Sequence, residues 1–414
     1  MTEPATVTAD DVRAARERIA GEITPTPCRR AHSSEVLIEG GGRLYLKLEN
    51  LHRTGSFKER GAINRLALMS DDERRRGVIA ASAGNHAQAL ALHATRLGIA
   101  ATVVMPEHTP LVKVGAARRH GAKVVLHGES FDDAVAEAKR RREAEGLVLV
   151  PAFDDPRIVA GQGTIGLELL DQLEAIDLVP DLVVVPIGGG GLISGIAVAL
   201  KEARPAVRVV GVEAEAAPSA RASRDAGRIV VTTAADTIAD GIAVKRVGEV
   251  TFPLIERYVD EIVVVSEEEI AAAVLLLLER EKSLAEGAGA AGMAALAARK
   301  VPVAEGDVAV AVITGGNIDI NMLSRIIDRG LVADGRLVRL KVGGRDRPGL
   351  LARLTSAVAR CGANVLEIAH HREFADIKVG EVEIVFTLET RGPEHVEEAI
   401  AALEADGRTV TRLD

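Results

Sequence analysis

A chain of 414 residues is too long for one ordinary hydrophobic core and implies two or three domains. Its formal net charge of −9 and pI near 5.7 argue against nucleic acid as a partner. The two cysteines, Cys28 and Cys361, lie far apart without metal-ligand spacing, which excludes a disulfide framework and a zinc site.

Met1 to Ala5 carry no basic stretch leading into an apolar core, so no secretory signal is expected. The most apolar window, Ile270 to Leu278, is too short to span a bilayer, so no membrane partner is expected and a reducing cytoplasm is the default.

In chain order, the first informative stretch is Lys47 to Ala62, where Thr54-Gly55-Ser56-Phe57-Lys58-Glu59 sets one lysine at the opening of a helix. A lysine amine becomes a nucleophile or base only where desolvation or nearby cations lower its pKa. Alone, Lys58 reads as a solvated first-turn lysine. Next, the strand-like run Gly77 to Ala81 feeds Ser82-Ala83-Gly84-Asn85-His86 and then an Ala- and Leu-rich helical pattern. A helix N-terminus there suits a carboxylate, although Ser82 or Asn85 as a plain N-cap explains the pattern too.

The basic runs Arg74 to Arg76 and Lys139 to Arg142 sit between acidic residues on helical patterns and read as solvated faces. Strand-like runs at Val103 to Met105, Lys123 to Leu126, Leu182 to Ile187, Val207 to Val212 and Glu261 to Val265 alternate with helical patterns. Alternation of this kind predicts an α/β fold with mostly parallel sheets.

Directly after Leu182 to Ile187 come Gly188, Gly189, Gly190 and Gly191, then Leu192-Ile193-Ser194-Gly195. Four glycines let a ligand approach the backbone, and the helix that follows favours an anion at its start, so a phosphate is the natural guest. The spacing matches neither the dinucleotide fingerprint nor the triphosphate loop. Thr314-Gly315-Gly316-Asn317 follows the run Val308 to Ile313 and places a hydroxyl where α/β sheets gather ligands.

Beyond a polar joint at residues 331–336, the pattern reads strand, helix, strand, strand, helix, strand from Leu337 to the C-terminus, with Asp346-Arg347-Pro348-Gly349 opening the first helix. A ferredoxin-like module used only for dimerisation has the same pattern.

Lysine, carboxylate-binding turn, tetraglycine and strand-end hydroxyl together describe a pyridoxal 5′-phosphate site. The chain resembles the threonine ammonia-lyases of the second pyridoxal-phosphate fold type, through Thr54 to Ala62, Ala81 to Gln88, Val159 to Gly166, Gly188 to Gly191, Ala239 to Gly241, Glu286 to Ala290 and Gly315 to Asp319 in one collinear order. The C-terminal segment resembles an ACT domain, a module that binds amino acids. The resemblance implies a catalytic domain over residues 1–330 with a smaller inserted subdomain over about 56–151, a linker at 331–336 and an ACT domain at 337–414.

It also implies roles. Lys58 holds the cofactor and then takes the Cα proton, Phe57 packs near the ring, and Asn85 reaches the ring's 3′ oxygen. Ser82, Ala83, Gly84, Asn85 and His86 surround the substrate carboxylate, Gly188 to Gly191 bind the phosphate, and Thr314 faces the ring nitrogen. Related racemases place a serine where this chain has Ala83, so racemisation should be poor. A mono- or divalent cation site is left open at Glu213, with Ser219 standing where some relatives have a second acidic residue.

The expected reaction is α,β-elimination of L-threonine to 2-oxobutanoate and ammonia, with serine or hydroxyaspartate as the rival substrate. An amino-acid sensor on an inactive scaffold is the rival of another class. The expected partners are an amino-acid substrate, an amino-acid effector on the ACT domain and a second copy or more in a homodimer or homotetramer.

Overall fold

The computed structural model describes residues 6–35, 41–233, 236–372, 378–405 and 407–413. The Met1 to Ala5 stretch, expected to carry no secretory signal, lies outside them. The chain divides into two compact units, Met1–Ile318 and Asp319–Asp414.

The first unit is built on two sheets. The larger takes β1 (Cys28–Arg30), β2 (Arg43–Leu48), β7 (Leu182–Pro186), β8 (Arg208–Ala214), β9 (Glu261–Val265) and β10 (Val308–Ile313) in the order β1-β2-β10-β7-β8-β9. All its pairings are parallel except β1 with β2. The smaller takes β3 (Val78–Ala81), β4 (Ala101–Met105), β5 (Lys123–Leu126) and β6 (Val148–Leu149) in the parallel order β5-β4-β3-β6.

Central strands of such sheets are covered on both faces, which is why β7 and β10 read as unbroken apolar runs and are buried at every position. Two separate cores follow: Val183, Val185, Ile193, Ile196 and Val310 pack around the larger sheet, and Val78, Leu90, Val103 and Met105 around the smaller.

Helix starts are written locally. Asp155 accepts from the backbone N–H groups of Arg157 and Ile158, and Pro156 occupies the first turn of the helix Pro156–Glu174. Ser266 and Glu269 form a capping box at the start of Glu267–Glu279, the helix that contains the most apolar window. Among the described residues, no helix is long and apolar enough to cross a membrane.

The second unit begins with the helix Ile320–Ala333, capped by Asp319. The sequence pattern assigns residues up to 330 to the first domain. The helix falls with the second because it packs against the strand that follows it. Then β11 (Leu337–Arg345), β12 (Asn364–His371), β13 (Glu381–Glu389) and β14 (Val410–Arg412) form an antiparallel sheet in the order β12-β13-β11-β14. The helices Leu350–Cys361 and Pro393–Glu404 complete the βαββαβ order, and Val338, Leu340, Leu354, Ile384, Phe386 and Val396 close a core of their own.

Candidate active site

A cavity of about 670 Å³ opens in the first unit. Its lining includes Phe57, Lys58, Ser82, Ala83, Gly84, Asn85, His86, the four glycines 188 to 191 and Thr314, so these residues meet in one place. Glu213 does not join them.

Lys58 reaches the cavity through a pinned turn. Gly55 adopts φ +74, Ser56 bridges to Gly315, the Phe57 N–H donates to the Thr314 carbonyl at 3.1 Å, and the Glu59 carboxylate accepts from the Thr54 N–H. The helix Lys58–Ala67 starts at the lysine itself. Its Nζ donates one hydrogen bond, to the Ala152 carbonyl at 2.9 Å, and stands 5.0 Å from the Phe57 ring centre. Burial pulls the amine's pKa down to about 8, against the opposing field of Glu286. A substantial fraction of this amine is therefore neutral near physiological pH.

Asn85 opens the helix Asn85–Arg96. Its Nδ2 donates to Glu286 Oε1 at 2.6 Å, and its Oδ1 accepts from Asn317 Nδ2 at 2.8 Å. His86 turns its ring away from any anion: Nε2 donates to the Val150 carbonyl at 3.0 Å, and burial, then Lys58, push its pKa down to about 4. The ring is neutral, so what His86 offers a carboxylate is its backbone N–H at the helix start. Ser82 Oγ accepts from the Gly84 N–H at 3.3 Å, which tightens the turn.

The tetraglycine loop runs from β7 into the helix Gly191–Ala203. Gly190 adopts φ +91, and a Cβ there would fall 2.7 Å from Ile255 and 2.8 Å from Thr251 Oγ1. Thr251 Oγ1 donates to the Gly189 carbonyl at 2.7 Å and holds the loop from behind. The first-turn N–H groups of the helix then face the cavity without intrahelical partners. Thr314 is buried at the end of β10, and its hydroxyl lies 3.5 Å from the Ala288 carbonyl, too far to commit it.

Glu213 serves elsewhere. Its Oε1 and Oε2 accept the backbone N–H groups of Ala220 and Arg221 at 2.7 and 2.8 Å, capping the helix Ser219–Ala226. Burial raises its pKa to about 7 in spite of those bonds. Among the described residues, no group of three or more metal-ligating side chains gathers there or elsewhere.

Glu286, Asn317, Gln162 and Asp240 are among the cavity residues to whose polar atoms the motifs assign no role. Burial, with the nearby charge of Asp240, raises the Glu286 pKa to about 7 against the pull of Asn85, Lys113 and Lys58. The stretches Glu286 to Ala290 and Gly315 to Asp319 stand out in the sequence, but nothing local ties Glu286 or Asn317 to Asn85.

The residues fit pyridoxal phosphate on the observations just given: a buried amine of lowered pKa, a side-chain-free cradle at a helix start and an uncommitted neutral hydroxyl face one cavity. Parallel strands ending around such an amine define a class, the pyridoxal-phosphate enzymes of the second fold type. The family described as "Pyridoxal-phosphate dependent enzyme" matches residues 19–315 and the ACT domain matches residues 338–405; the chain belongs to this family and carries an ACT domain behind its catalytic part.

Its relatives narrow the class. The chain is 48% identical over 404 residues to a Thermotoga maritima protein named L-threonine ammonia-lyase, covering 98% of this chain and 99% of that one. It is 44% identical over 321 residues to the Escherichia coli K12 protein named catabolic L-threonine dehydratase, covering 77% of this chain and 96% of that one. The solved processed form of threonine deaminase isoform 2 from Solanum lycopersicum superposes with a TM-score of 0.71 at 36% identity, over 79% of this chain and 90% of that one.

Proposed function

We propose that this chain is an L-threonine ammonia-lyase, eliminating the β-hydroxyl of L-threonine as water and releasing 2-oxobutanoate and ammonia when the enamine product takes up water. One observation carries the reading: a chain alike along its whole length to a protein of that name keeps a buried amine of lowered pKa in the cavity that gathers every catalytic motif.

Pyridoxal phosphate, when bound, supplies the electron sink for the pair left at Cα. The protein's part is positional and protonic. Lys58 would hold the cofactor and serve as the base for the substrate's Cα proton; a pKa of about 8 keeps its neutral form available. The first-turn N–H groups after Gly84, with Ser82, receive the substrate carboxylate. Gly188 to Gly191 would hold the phosphate, Phe57 would pack at the ring and Asn85 would meet the ring's 3′ oxygen.

Thr314, which carries no charge, would face the ring nitrogen of the bound cofactor. A neutral hydroxyl there would supply no charge to keep that nitrogen protonated, which would favour loss of the β-hydroxyl over transamination. Ala83 has no group to move a proton, so inversion at Cα lacks a second base.

We assign the reaction to residues 1–330 and an amino-acid effector site to the ACT domain, in a cytoplasmic homo-oligomer. A chain ending at Ala333 should then stay active and lose any shift of its substrate curve by branched-chain amino acids; a shift that survives truncation rejects that division. The reaction itself is tested by assaying 2-oxo acid from threonine, serine and threo-3-hydroxyaspartate. Threonine should give the highest kcat/KM, and a clear preference for hydroxyaspartate would replace the assignment.

A further inference from the structure

Asn85 has two faces of nearly equal shape, a carbonyl and an NH₂, and only the hydrogen-bond network decides which one meets a ligand. Here the network decides from both ends. Asn317 Nδ2 donates to the Thr54 carbonyl at 2.6 Å, and a carbonyl can only accept. The nitrogen of Asn317 is thereby placed, and its second hydrogen goes to Asn85 Oδ1 at 2.8 Å. At the other end, the Asn85 Nδ2 donates to the Glu286 carboxylate at 2.6 Å. The Thr54 carbonyl, an obligate acceptor, therefore orients both amides, and the Glu286 carboxylate receives the Asn85 N–H at the far end. One N–H of Asn85 remains, on a residue that lines the cavity.

The backbone is cut away to admit this chain of bonds. A Cβ on Gly55, which adopts φ +74, would lie 2.6 Å from Asn317 Oδ1. A Cβ on Gly315 would overlap Glu286 Oε1 and come within 3.1 Å of Asn85 Nδ2. The chain joins positions more than 200 residues apart, Asn85 with Glu286 and with Asn317.

We propose that Asn317 and Glu286 are positioning residues that lock the Asn85 amide with its N–H toward the cavity, so that Asn85 can only donate to the cofactor's ring oxygen. This rests on the pyridoxal-phosphate reading of the cavity. A donor in that place favours the ionised ring oxygen; a carbonyl there would repel it. The groups that bear on Glu286 from the elements packed around it are Lys58, Asp240 and Lys113, and Lys113 pairs with Asp240 at 2.6 Å.

Asn317→Asp reverses the signal at one end, because a carboxylate facing Asn85 accepts where the native amide donates. Asn85 should flip and turn its carbonyl to the cavity. Glu286→Gln keeps an acceptor for Asn85 and removes the charge, whereas Glu286→Ala removes the acceptor.

The experiment follows the visible absorbance of bound pyridoxal phosphate against pH in full-length holoenzyme, together with its retention on dilution. Wild type is first reduced with borohydride and digested, to locate the cofactor by mass. Asn317→Asp and Glu286→Ala should move the absorbance midpoint and weaken retention about tenfold, the scale of one charge-assisted hydrogen bond, while Glu286→Gln should keep retention within about threefold of wild type. Circular dichroism separates these shifts from unfolding. If Asn317→Asp does not fold, Glu286→Ala against Glu286→Gln decides alone. A cofactor absent from Lys58 in wild type removes the underlying reading. A cofactor at Lys58 with an unmoved midpoint in the folded variants overturns the lock alone.

Discussion

Two cations stand two residues apart on one helix, Arg60 buried and Lys58 half-buried at the cavity, and their surroundings differ completely. Arg60 is 1% exposed and spends its guanidinium on Glu49 at 2.8 Å through both Nε and Nη2, on Glu168 at 2.8 and 3.0 Å, and on Thr164 at 3.3 Å. Burial alone would depress its pKa; the two carboxylates outweigh it and hold Arg60 protonated above its ordinary value. Beside it, the buried Lys47 donates to Thr26 O, Glu168 and Gln172. Lys58 has one carbonyl and a carboxylate across the cavity. Saturated charges lock a scaffold in place, and an under-bonded charge at a cavity is left available for chemistry.

Removing each cation in turn breaks the comparison most sharply. Lys58→Ala should lower turnover by about 10³-fold or more, the scale of losing a catalytic base, with little change in the melting temperature. Retained ammonia release would sink the role given to Lys58. Arg60→Ala should do the reverse in kind: it leaves the Glu49 carboxylate, at 0% exposure, with only Thr26 and His52 as partners, and costs about 3–5 kcal/mol of stability, read as a lower denaturant midpoint. A stable Arg60→Ala protein would mean that the network is ornamental.

Thr314→Asp sharpens the contrast from the cavity side by adding a charge where none stands. Elimination should slow by about tenfold, the equivalent of one pKa unit, and by-products of a stabilised carbanion should rise. An unchanged rate and product ratio would show that Thr314 does not face the ring nitrogen.

The smallest effect is a titration. In the cofactor-free protein, acylation of Lys58 should rise with a midpoint near about 8, below that of exposed lysines. The sign for stability follows: between that value and the ordinary 10.5, the unfolded chain binds more protons than the folded one, so stability rises with pH across this window. Glu286 acts oppositely, since its folded pKa of about 7 lies above the ordinary 4.5 and stability falls as pH rises between them. A Lys58 midpoint matching that of exposed lysines would remove the distinction from Arg60.

What the sequence makes legible and what it hides follow the same physical line. Lys58, Gly188 to Gly191 and Thr314 each sit in a short run whose turn chemistry is local, between apolar strands that announce a parallel sheet. The βαββαβ order of the second unit is readable for the same reason. Glu286 and Asn317 acquire their partners only when distant segments meet. A sequence shows no side-chain direction, so it does not reveal that the His86 ring donates to the Val150 carbonyl. The sequence leaves a cation site open at Glu213, and in the fold both its oxygens accept backbone N–H groups of the next helix.

The most direct measurement of the central claim is borohydride reduction of the full-length holoenzyme followed by peptide mass analysis, in parallel with a 2-oxobutanoate assay on L-threonine. The account predicts the reduced pyridoxal phosphate adduct on Lys58 and loss of 2-oxobutanoate formation after reduction. An adduct on another lysine, or threonine turnover that persists once Lys58 is blocked, would contradict it.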